Sequence, residues 1–376
     1  MAEWKKVKLE DAALLKAGKF VPAQMIAAKQ DSVNIYPCFG GNGVRGFVPK
    51  FSHEGVFPII GRQGALCGNV NLAQGKFYAT EHAVVASPQN GNDSIWLYYA
   101  LVFANLNKYA TGQAQPGISV ETVNKVPFLL PPLEEQKKIA ATLSVWDSAI
   151  EKMEKLIDAK ENHFNQLMNK LIVVDSSNSK WNTFALKNVF DVVNRKNKNG
   201  NANVLTSSAQ YGLVNQQEYY KKKIASSNTS GYYLLKKGDF AYNRSYSTGY
   251  PYGVVKRLDK YESGVLSTLY LCFSLKKEYQ SYSDFFVFLF ESGYLNNQLA
   301  LICREGARNH GLLNIAKEDF FNMKVQLPNE KEQQSIVCIL QNHSLELSLL
   351  KQQLENYKKQ KQGLMQKLLT GQWRVK

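Results

Sequence analysis

The 376-residue sequence lacks the features of a secreted or membrane-spanning chain. Its start, MAEWKKVKLEDA, has no apolar core of the kind found in signal peptides, and no apolar run is long enough to cross a bilayer. The 5 cysteines are odd in number and form no CxxC pair, so they support neither a disulfide framework nor a zinc site. We therefore expect a cytoplasmic protein without a metal, whose cysteines are all buried thiols: Cys38, Cys67, Cys272, Cys303 and Cys338.

Recognisable catalytic motifs are also missing. The 5 histidines are scattered, and no Ser/His/Asp set or pair of carboxylates stands at a motif spacing. The glycine-rich stretch FGGNG at residues 39–43 is followed by neither Lys-Ser/Thr nor a helical pattern, so it is not a phosphate loop or a dinucleotide fingerprint. We expect a turn there, and we predict no catalytic site and no cofactor.

Acidic residues are scarce relative to basic ones. The chain has 46 Lys and Arg against 31 Asp and Glu, which gives a formal net charge of +15. An excess of this size favours a polyanionic partner, with nucleic acid first among them. The alternative is a protein that is basic without binding any polyanion.

What the sequence does contain is a long internal repeat. The segment LPPLEEQKKIAATL recurs as LPNEKEQQSIVCIL at an offset of 197 residues, the difference between Pro328 and Pro131. The match continues without a gap to Ile172 and Leu369. Four paired positions near its start are candidates for holding the scaffold or a partner: Glu135, Gln136, Glu332 and Gln333.

Each copy of the repeat carries one hydrophobic seam. Its apolar residues follow alternating steps of four and three, the a/d pattern of a coiled coil. The seam of the second copy includes Leu350 and Leu354. Lys160 in the first copy and Lys361 in the second interrupt the seam, and polar interruptions of this kind often fix the register of paired helices.

The seams predict two long helices, near residues 132–173 and 329–370, with Gly371 ending the second. If the first helix carries the chain to a second domain, the second helix must begin there and pair antiparallel. Forty residues at ~1.5 Å each would separate the two domains by roughly 60 Å. Such a spacer would reach two short DNA sequences separated by a gap.

The remaining residues form two globular domains of similar length. They are rich in Gly, Tyr, Phe, Val and Asn, and short runs such as VFPIIG, AVVAS and GVVKRL predict strands. Each domain opens on a tryptophan, Trp4 or Trp181, but the bodies match poorly, which suggests two sites of one kind with different targets. We predict an α/β (α+β) fold with an internal pseudo-two-fold: domain 1 (1–127), spacer helix 1 (128–175), domain 2 (176–324) and spacer helix 2 (325–376), with the polar linker DSSNS at residues 175–179 after the first helix.

These features resemble the DNA-specificity (S) subunit of type I restriction-modification systems. The likeness rests on the paired EQ-containing helix starts, on the two Trp-initiated domains, and on the phrases YPCFGGNGVRGF, IIGRQGALCGNV and TEHAVV. It implies that each domain is a target-recognition domain reading one half of a bipartite DNA site. It also implies that two adenine methyltransferase (M) subunits bind the helices and that a restriction (R) subunit joins for cleavage.

Two alternatives remain open beside this resemblance. One is a free-standing DNA-binding regulator that uses the same helices as a ruler. The other is an enzyme with an unrecognised site. An adenine methyltransferase would carry an Asn-Pro-Pro-Tyr-like tetrapeptide, and LLPPLEE has the prolines but neither the Asn nor the Tyr.

The candidate DNA-reading residues are polar groups on glycine-rich loops. Glycine lets the backbone approach a duplex closely, and Arg and Gln bond bidentately to guanine and adenine edges. For each residue the alternative is a side chain that stabilises its own loop. The candidates are Asn42, Arg45, Arg62, Gln63 and His82 in the first domain, and Asn243, Arg244, Ser245, Tyr246 and Thr248 in the second. Candidates for phosphate contacts or plain solvated charge are Lys221, Lys222 and Lys223 and the segment 195–198, while Arg304, Arg308 and His310 either touch DNA or brace the domain.

Overall fold

The computed structural model describes residues 3–112, 116–173, 181–221, 228–246, 249–303 and 313–375. The chain divides into two compact units, Met1–Leu156 with Leu350–Lys376, and Ile157–Leu349. Each unit holds one globular domain and one half of each long helix. No helix within the described ranges combines the length and the hydropathy needed to cross a bilayer.

The chain up to the end of the first long helix contains eight strands and four α-helices in its described part. The strands are β1 (Lys5–Lys8), β2 (Ala13–Ala17), β3 (Tyr36–Gly40), β4 (Gly43–Val48), β5 (His53–Gly61), β6 (Val70–Ala79), β7 (Ala83–Pro88) and β8 (Pro127–Leu130). The helices are α1 (Leu9–Ala12), α2 (Ser94–Ala104), α3 (Val120–Asn124) and α4 (Leu133–Ile172), with short 3-10 helices at Ala23–Met25 and Leu106–Tyr109.

The rest of the chain contains ten further strands and six α-helices in its described part. The strands are β9 (Asn182–Ala185), β10 (Phe190–Val192), β11 (Leu205–Ser208), β12 (Gly212–Asn215), β13 (Tyr233–Lys236), β14 (Phe240–Asn243), β15 (Val254–Arg257), β16 (Ser263–Leu266), β17 (Leu271–Leu275) and β18 (Lys324–Leu327). The helices are α5 (Leu186–Val189), α6 (Gln216–Tyr220), α7 (Ser283–Glu291), α8 (Asn296–Ile302), α9 (Lys317–Asn322) and α10 (Glu330–Leu369), with a 3-10 helix at Lys277–Tyr282.

The first domain is built on one curled sheet. Its strand order is β2-β7-β5-β6-β3-β4, antiparallel except for the pairing of β3 with β6. The curl brings the end of β6 to the chain after β2, where the Lys19 amide donates to the Ala79 carbonyl at 2.9 Å. Helix α2 packs against this sheet through Trp96, which is buried with Ile60 and Val84.

The second domain divides its strands among smaller sheets. The largest has the order β10-β17-β14-β15, while β11 pairs with β12 and β13 with β16. Aromatic rings dominate its core: Phe273 lies 4.9 Å from Phe190 and 5.8 Å from Phe240, measured between ring centroids. The predicted mixture of helices and strands is therefore confirmed in both domains, and the apolar runs singled out in the sequence form β5, β7 and β15.

Each domain has the same two-stranded antiparallel sheet next to the start of its long helix, and we call this sheet the clip. Strand β1 pairs antiparallel with β8, placing Lys5 opposite Leu130, and β9 pairs with β18, placing Asn182 opposite Leu327. The next residues repeat the pattern in both units, because the amide of Leu9 donates to the carbonyl of Val126 at 3.0 Å and that of Leu186 to Met323 at 2.9 Å. The repeat seen in the helices therefore extends into the part of each domain that adjoins its long helix.

The two long helices begin and end within one residue of their predicted bounds. α4 and α10 each contain 40 residues, and the positive φ of Gly371 (71°) ends the second, as expected. In the first unit Asp147 pairs with Lys361, and Glu154 with Lys358 at 2.9 Å. Because the numbers rise along α4 while they fall along α10, the helices are antiparallel there.

The second unit shows the same antiparallel pairing. Lys160 bonds to Glu346 at 2.7 Å, and the rings of His163 and His343 lie 5.7 Å apart. Every predicted seam position is buried or half-buried. The seam therefore forms the contact between the helices in both units, and the coiled-coil prediction is confirmed.

Both lysines that interrupt the seam find a carboxylate on the partner helix. Lys160 bonds to Glu346, and Lys361 bonds to Asp147, whose other oxygen accepts the Tyr99 hydroxyl at 2.5 Å. Burial and the bond to Asp147 raise the pKa of Tyr99, so it stays a neutral donor. A buried ammonium without such partners would be costly, so the pairing explains how the seam accepts lysine.

The structure adds buried residues beside the seam and corrects one sequence expectation. Apolar residues just off the seam, Met168 and Ile172 on α4 and Met365 and Leu369 on α10, are buried, because these helix ends pack into the domain cores. The expectation of five buried thiols is wrong for two cysteines. Cys38, Cys67 and Cys272 are buried, whereas Cys303 is half-buried and Cys338 is exposed because it lies on the outer face of α10.

Candidate nucleic-acid interface

Four of the five first-domain candidates line one open cavity. Its volume is about 460 Å³, and its walls include Asn42, Arg45, Gln63 and His82 together with several glycines. Asn42, Arg45 and Gln63 are exposed, and His82 is half-buried. The cavity therefore gathers donors and acceptors from three loops that are well separated in sequence.

Close backbone contacts bring these loops together. Gly41 and Asn42 form the predicted turn between β3 and β4, and Gly43 follows with a φ of 87°. The end of β5 touches this turn, since a Cβ on Gly61 would lie only 1.8 Å from the Gly41 carbonyl oxygen. Any side chain at Gly61 would push the two loops apart, which is why glycine is required there.

The loop after β5 is held by backbone hydrogen bonds on both sides of Gln63. The amide of Arg62 donates to the His82 carbonyl at 3.1 Å, and the Arg62 carbonyl accepts from Ile118 at 2.9 Å. The Gly64 amide donates to the Pro116 carbonyl at 2.9 Å. These bonds fix the backbone at Gln63 while its side chain remains exposed in the cavity.

A carboxylate that sequence reasoning missed lies beside the cavity. Glu81, in the turn between β6 and β7, places Oε1 3.2 Å from Nε2 of His82. The pKa of the nearby Cys38 thiol is raised, mainly by burial, with the charges of Arg45 and Glu81 acting in opposite directions. Glu81 thus orients His82 and places a carboxylate beside this wall of the cavity. Its position next to His82 in TEHAVV was the available sequence signal.

Arg62 is the one first-domain candidate that is not part of the cavity lining. Its side chain is half-buried, and its Nε has no hydrogen-bond partner among the described residues. Its amide and carbonyl are both bonded to neighbouring loops. These bonds involve the main chain alone, so they fix the loop without assigning a role to the Arg62 side chain.

In the second domain the candidates follow the end of β14. The Asn243 side chain accepts from the Ser245 amide at 3.1 Å, and Tyr246 is 61% exposed. Arg244 donates through Nε and Nη2 to the Leu269 carbonyl at 3.1 and 2.9 Å, and through Nη1 to Ile315 at 3.4 Å. Arg244 is therefore anchored to two carbonyls of its own domain, while Tyr246 is presented to solvent. Thr248 lies outside the described residues.

Other basic candidates divide between structural contacts and exposed charge. Arg195 pairs with Asp239 and bonds to the Leu234 carbonyl at 3.3 Å, while the Lys196 ammonium bonds to Gly231 at 2.9 Å. These contacts favour loop stabilisation for both. Lys198 and Lys221 are exposed, as a phosphate contact requires. Lys222, Lys223, Arg304, Arg308 and His310 lie outside the described residues.

The paired glutamates at the helix starts bind the tryptophans that open the domains. The indole Nε1 of Trp4 donates to Glu135 at 2.9 Å, and that of Trp181 donates to Glu332 at 3.0 Å. Two signals that the sequence showed separately, an opening Trp and an EQ pair, thus form one junction. This junction recurs in both units.

The glutamines beside these glutamates are buried. The amide nitrogen of Gln136 donates to the Pro131 carbonyl and to the Asn92 side chain, both at 2.9 Å, and its oxygen accepts from the Asp93 amide at 2.9 Å. Gln333 donates to the Ser281 carbonyl at 2.9 Å. Both glutamines therefore belong to the scaffold. Leu350 is half-buried and Leu354 buried in the helix pair, which gives them the same role.

Arg374, which sequence reasoning missed, completes the junction of the first unit. It forms a bidentate pair with Glu135, with Nε–Oε1 and Nη2–Oε2 distances of 2.6 and 2.8 Å, and its guanidinium lies 5.3 Å from the Trp4 ring. The Arg374 bonds are the largest cause that lowers the pKa of Glu135. Nothing local in the sequence indicates this contact, because the partners are 239 positions apart.

Two domains with exposed polar loops, each joined to the start of a long helix by the same contacts, define a class of protein with two repeated domain–helix units. The chain belongs to the type I restriction modification DNA specificity domain family, which matches residues 1–161 and 178–358. It is 24% identical over 408 residues to the type I restriction enzyme MjaVIII specificity subunit of Methanocaldococcus jannaschii, covering 100% of this chain and 94% of that protein.

A second relative matches more strongly over a shorter stretch. The chain is 44% identical over 146 residues to the type I restriction enzyme EcoprrI specificity subunit of Escherichia coli, covering 39% of this chain and 36% of that protein. The match thus spans about a third of that relative's length. Among solved structures, the S subunit of a type I restriction-modification system from M. genitalium shares the fold, with a TM-score of 0.62, 18% identity, and coverage of 98% of this chain and 96% of that chain.

Proposed function

We propose that this chain is the non-catalytic DNA-specificity subunit of a type I restriction-modification complex. The two target-recognition domains, residues 1–127 and 176–324, each read one half of a bipartite DNA site, and the spacer helices hold the distance between the halves. The observation that carries the proposal is the junction of domain and helix, which occurs twice with the same Trp–Glu bond on a chain of this family. The net charge of +15 supports DNA as the ligand.

Exposed stripes on the helices support two copies of a protein partner. On α4 the stripe comprises Val145, Ser148, Lys152 and Leu156, and Val145 is 69% exposed. On α10 it comprises Asn342, Leu345 and Leu349, and the two leucines are 59% and 55% exposed. Three positions of the first stripe correspond to these at the offset of 197.

Single exposed apolar residues are common on protein surfaces and need no explanation. Here the same face of the helix is exposed in both copies of the repeat, and each stripe lies in a different unit. We infer that one methyltransferase subunit docks on each stripe, and that a restriction subunit is the further partner for cleavage. DNA and these partners support a cytoplasmic location for the proposed function.

A free-standing regulator is the competing function. It predicts that the isolated chain binds a specific DNA sequence tightly without a partner. The matched relatives are restriction enzyme specificity subunits, which supports the first function over the second.

The test is co-expression of the full chain with the methyltransferase gene that neighbours it, followed by sequencing for modified adenines. The proposed function predicts a methylated motif with two specific halves separated by a fixed unspecific gap. The methyltransferase expressed without this chain is the control and should leave DNA unmodified. A single unsplit motif, or modification in the control, would contradict the proposal.

A further inference from the structure

We propose that Gln63 is the residue through which the first domain selects an adenine in its half of the site. The inference rests on the proposed function and deepens it, because it assigns one base to one side chain. Three properties of Gln63 carry it: a fixed backbone, an exposed carboxamide, and a place in the wall of the cavity.

The fixed backbone matters because a base reader must hold its position when DNA binds. Gln63 is bracketed by the bonds of Arg62 to Ile118 and of Gly64 to Pro116, each 2.9 Å long, and it pairs with Gly117 as an antiparallel bridge. Little conformational freedom is left for the backbone to lose on binding. The ordering cost of a contact is therefore confined to the side chain.

The chemistry of the side chain selects the base. A carboxamide offers one donor and one acceptor side by side, which match N7 and the N6 amino group of adenine in the major groove. The other cavity residues fit less well. Arg45 has only donors and matches guanine, and His82 is paired with Glu81 at 3.2 Å. Asn42 shares its oxygen with Asn69 at 3.5 Å.

The second domain repeats the arrangement with different residues. Arg244, like Arg62, follows the end of a central strand, and its carbonyl accepts from Leu313 at 2.8 Å just as the Arg62 carbonyl accepts from Ile118. In both domains the arginine is thus tied to the segment before a short helix, α9 or α3. We therefore assign a positioning role to the main-chain carbonyl that follows the strand, and in the first domain we assign the reading role to the exposed side chain of the next residue, Gln63.

The experiment maps the methylated motif for the wild-type complex and for complexes carrying Gln63→Ala or Gln63→Glu. Gln63→Ala should reduce the preference for adenine at one position of one half by about ten- to a hundred-fold. Gln63→Glu keeps the size but offers only acceptors, so the same position should shift toward cytosine, whose N4 amino group donates. Gln74→Ala, an exposed glutamine on β6 outside the cavity, is the matched control and should leave the motif unchanged.

The outcomes separate the inference from the function on which it rests. A wild-type motif that Gln63→Ala and Gln63→Glu both leave unaltered overturns the inference and leaves the function standing. A loss that is uniform across all positions also overturns it, because a phosphate contact weakens binding to every sequence whereas a base reader changes one position. No split motif for the wild type would remove both.

Discussion

The two domains share the structure at their junctions with the long helices and differ in the rest of their fold. At this junction each domain has a two-stranded clip, an indole bonded to a helix glutamate and a buried glutamine one position later. Above it one domain builds a single curled sheet of six strands, and the other uses a four-stranded sheet with separate hairpins. The parts that fix the helices are repeated, and the parts that would face DNA are free to vary.

The largest effect should come from breaking the helix pair common to both domains. Replacing both Leu350 and Leu354 by Glu would place charge in the seam, and we expect a loss of at least about 3–5 kcal/mol of folding free energy. Thermal unfolding and co-purification with the methyltransferase would measure it. The control is Gln352→Glu at an exposed neighbouring position. Unchanged assembly of the double variant would refute the pairing of the helices.

Two ion pairs between the helices of the first unit differ in exposure, so their contributions to folding stability should differ. Asp147→Ala leaves Lys361 in the seam without its carboxylate, and we expect a loss of about 2–3 kcal/mol, reduced from the fully buried case because Asp147 is partly exposed. Glu154→Ala removes an exposed pair with Lys358 and should cost no more than about 1 kcal/mol. Denaturant unfolding of both variants checks the order, and equal losses would contradict the account.

Substitutions of Arg244 test whether its side chain holds the loop in position or contacts a base. Because its guanidinium is bonded to the Leu269 and Ile315 carbonyls, Arg244→Ala should cost about 1–3 kcal/mol of discrimination, spread over several positions of the second half-site only. Motif mapping measures this spread. Arg244→Lys should not restore it, since one ammonium cannot replace three directed bonds. A change confined to one base would instead make Arg244 a reader.

The smallest effect should distinguish the junctions of the two units. Arg374→Ala removes a bidentate partner of Glu135, and we expect a loss of folding stability at neutral pH that is smaller than the losses of the variants above. The folded-state pKa of Glu135 lies below its ordinary value of 4.5, so this stabilisation is present above that value and is lost as the pH falls through the folded pKa. When unfolding is followed as the pH is lowered from 7, the difference in stability between variant and wild type should shrink. A constant difference would exclude the ion pair as the cause.

The sequence predicted the scaffold better than the site. The periodic seam placed the ends of each helix within one residue although a lysine interrupts each copy, because a long pattern averages out local exceptions. Glycine-rich phrases located four cavity residues, since close backbone approach requires glycine. The arginines were harder, because Arg244 is held by carbonyls that the sequence places 25 and 71 positions away. Such contacts, like that of Arg374 with Glu135, depend on tertiary structure alone.

The central claim is that two similar domain–helix junctions carry two domains that recognise DNA independently. An exchange of one domain tests it most directly. Residues 1–127 would be replaced by the aligned domain of a specificity subunit with a different known motif, and the methylated motif of the co-expressed complex would be sequenced. The account predicts that one half of the motif changes to that of the donor while the other half is retained. A change in both halves would contradict it.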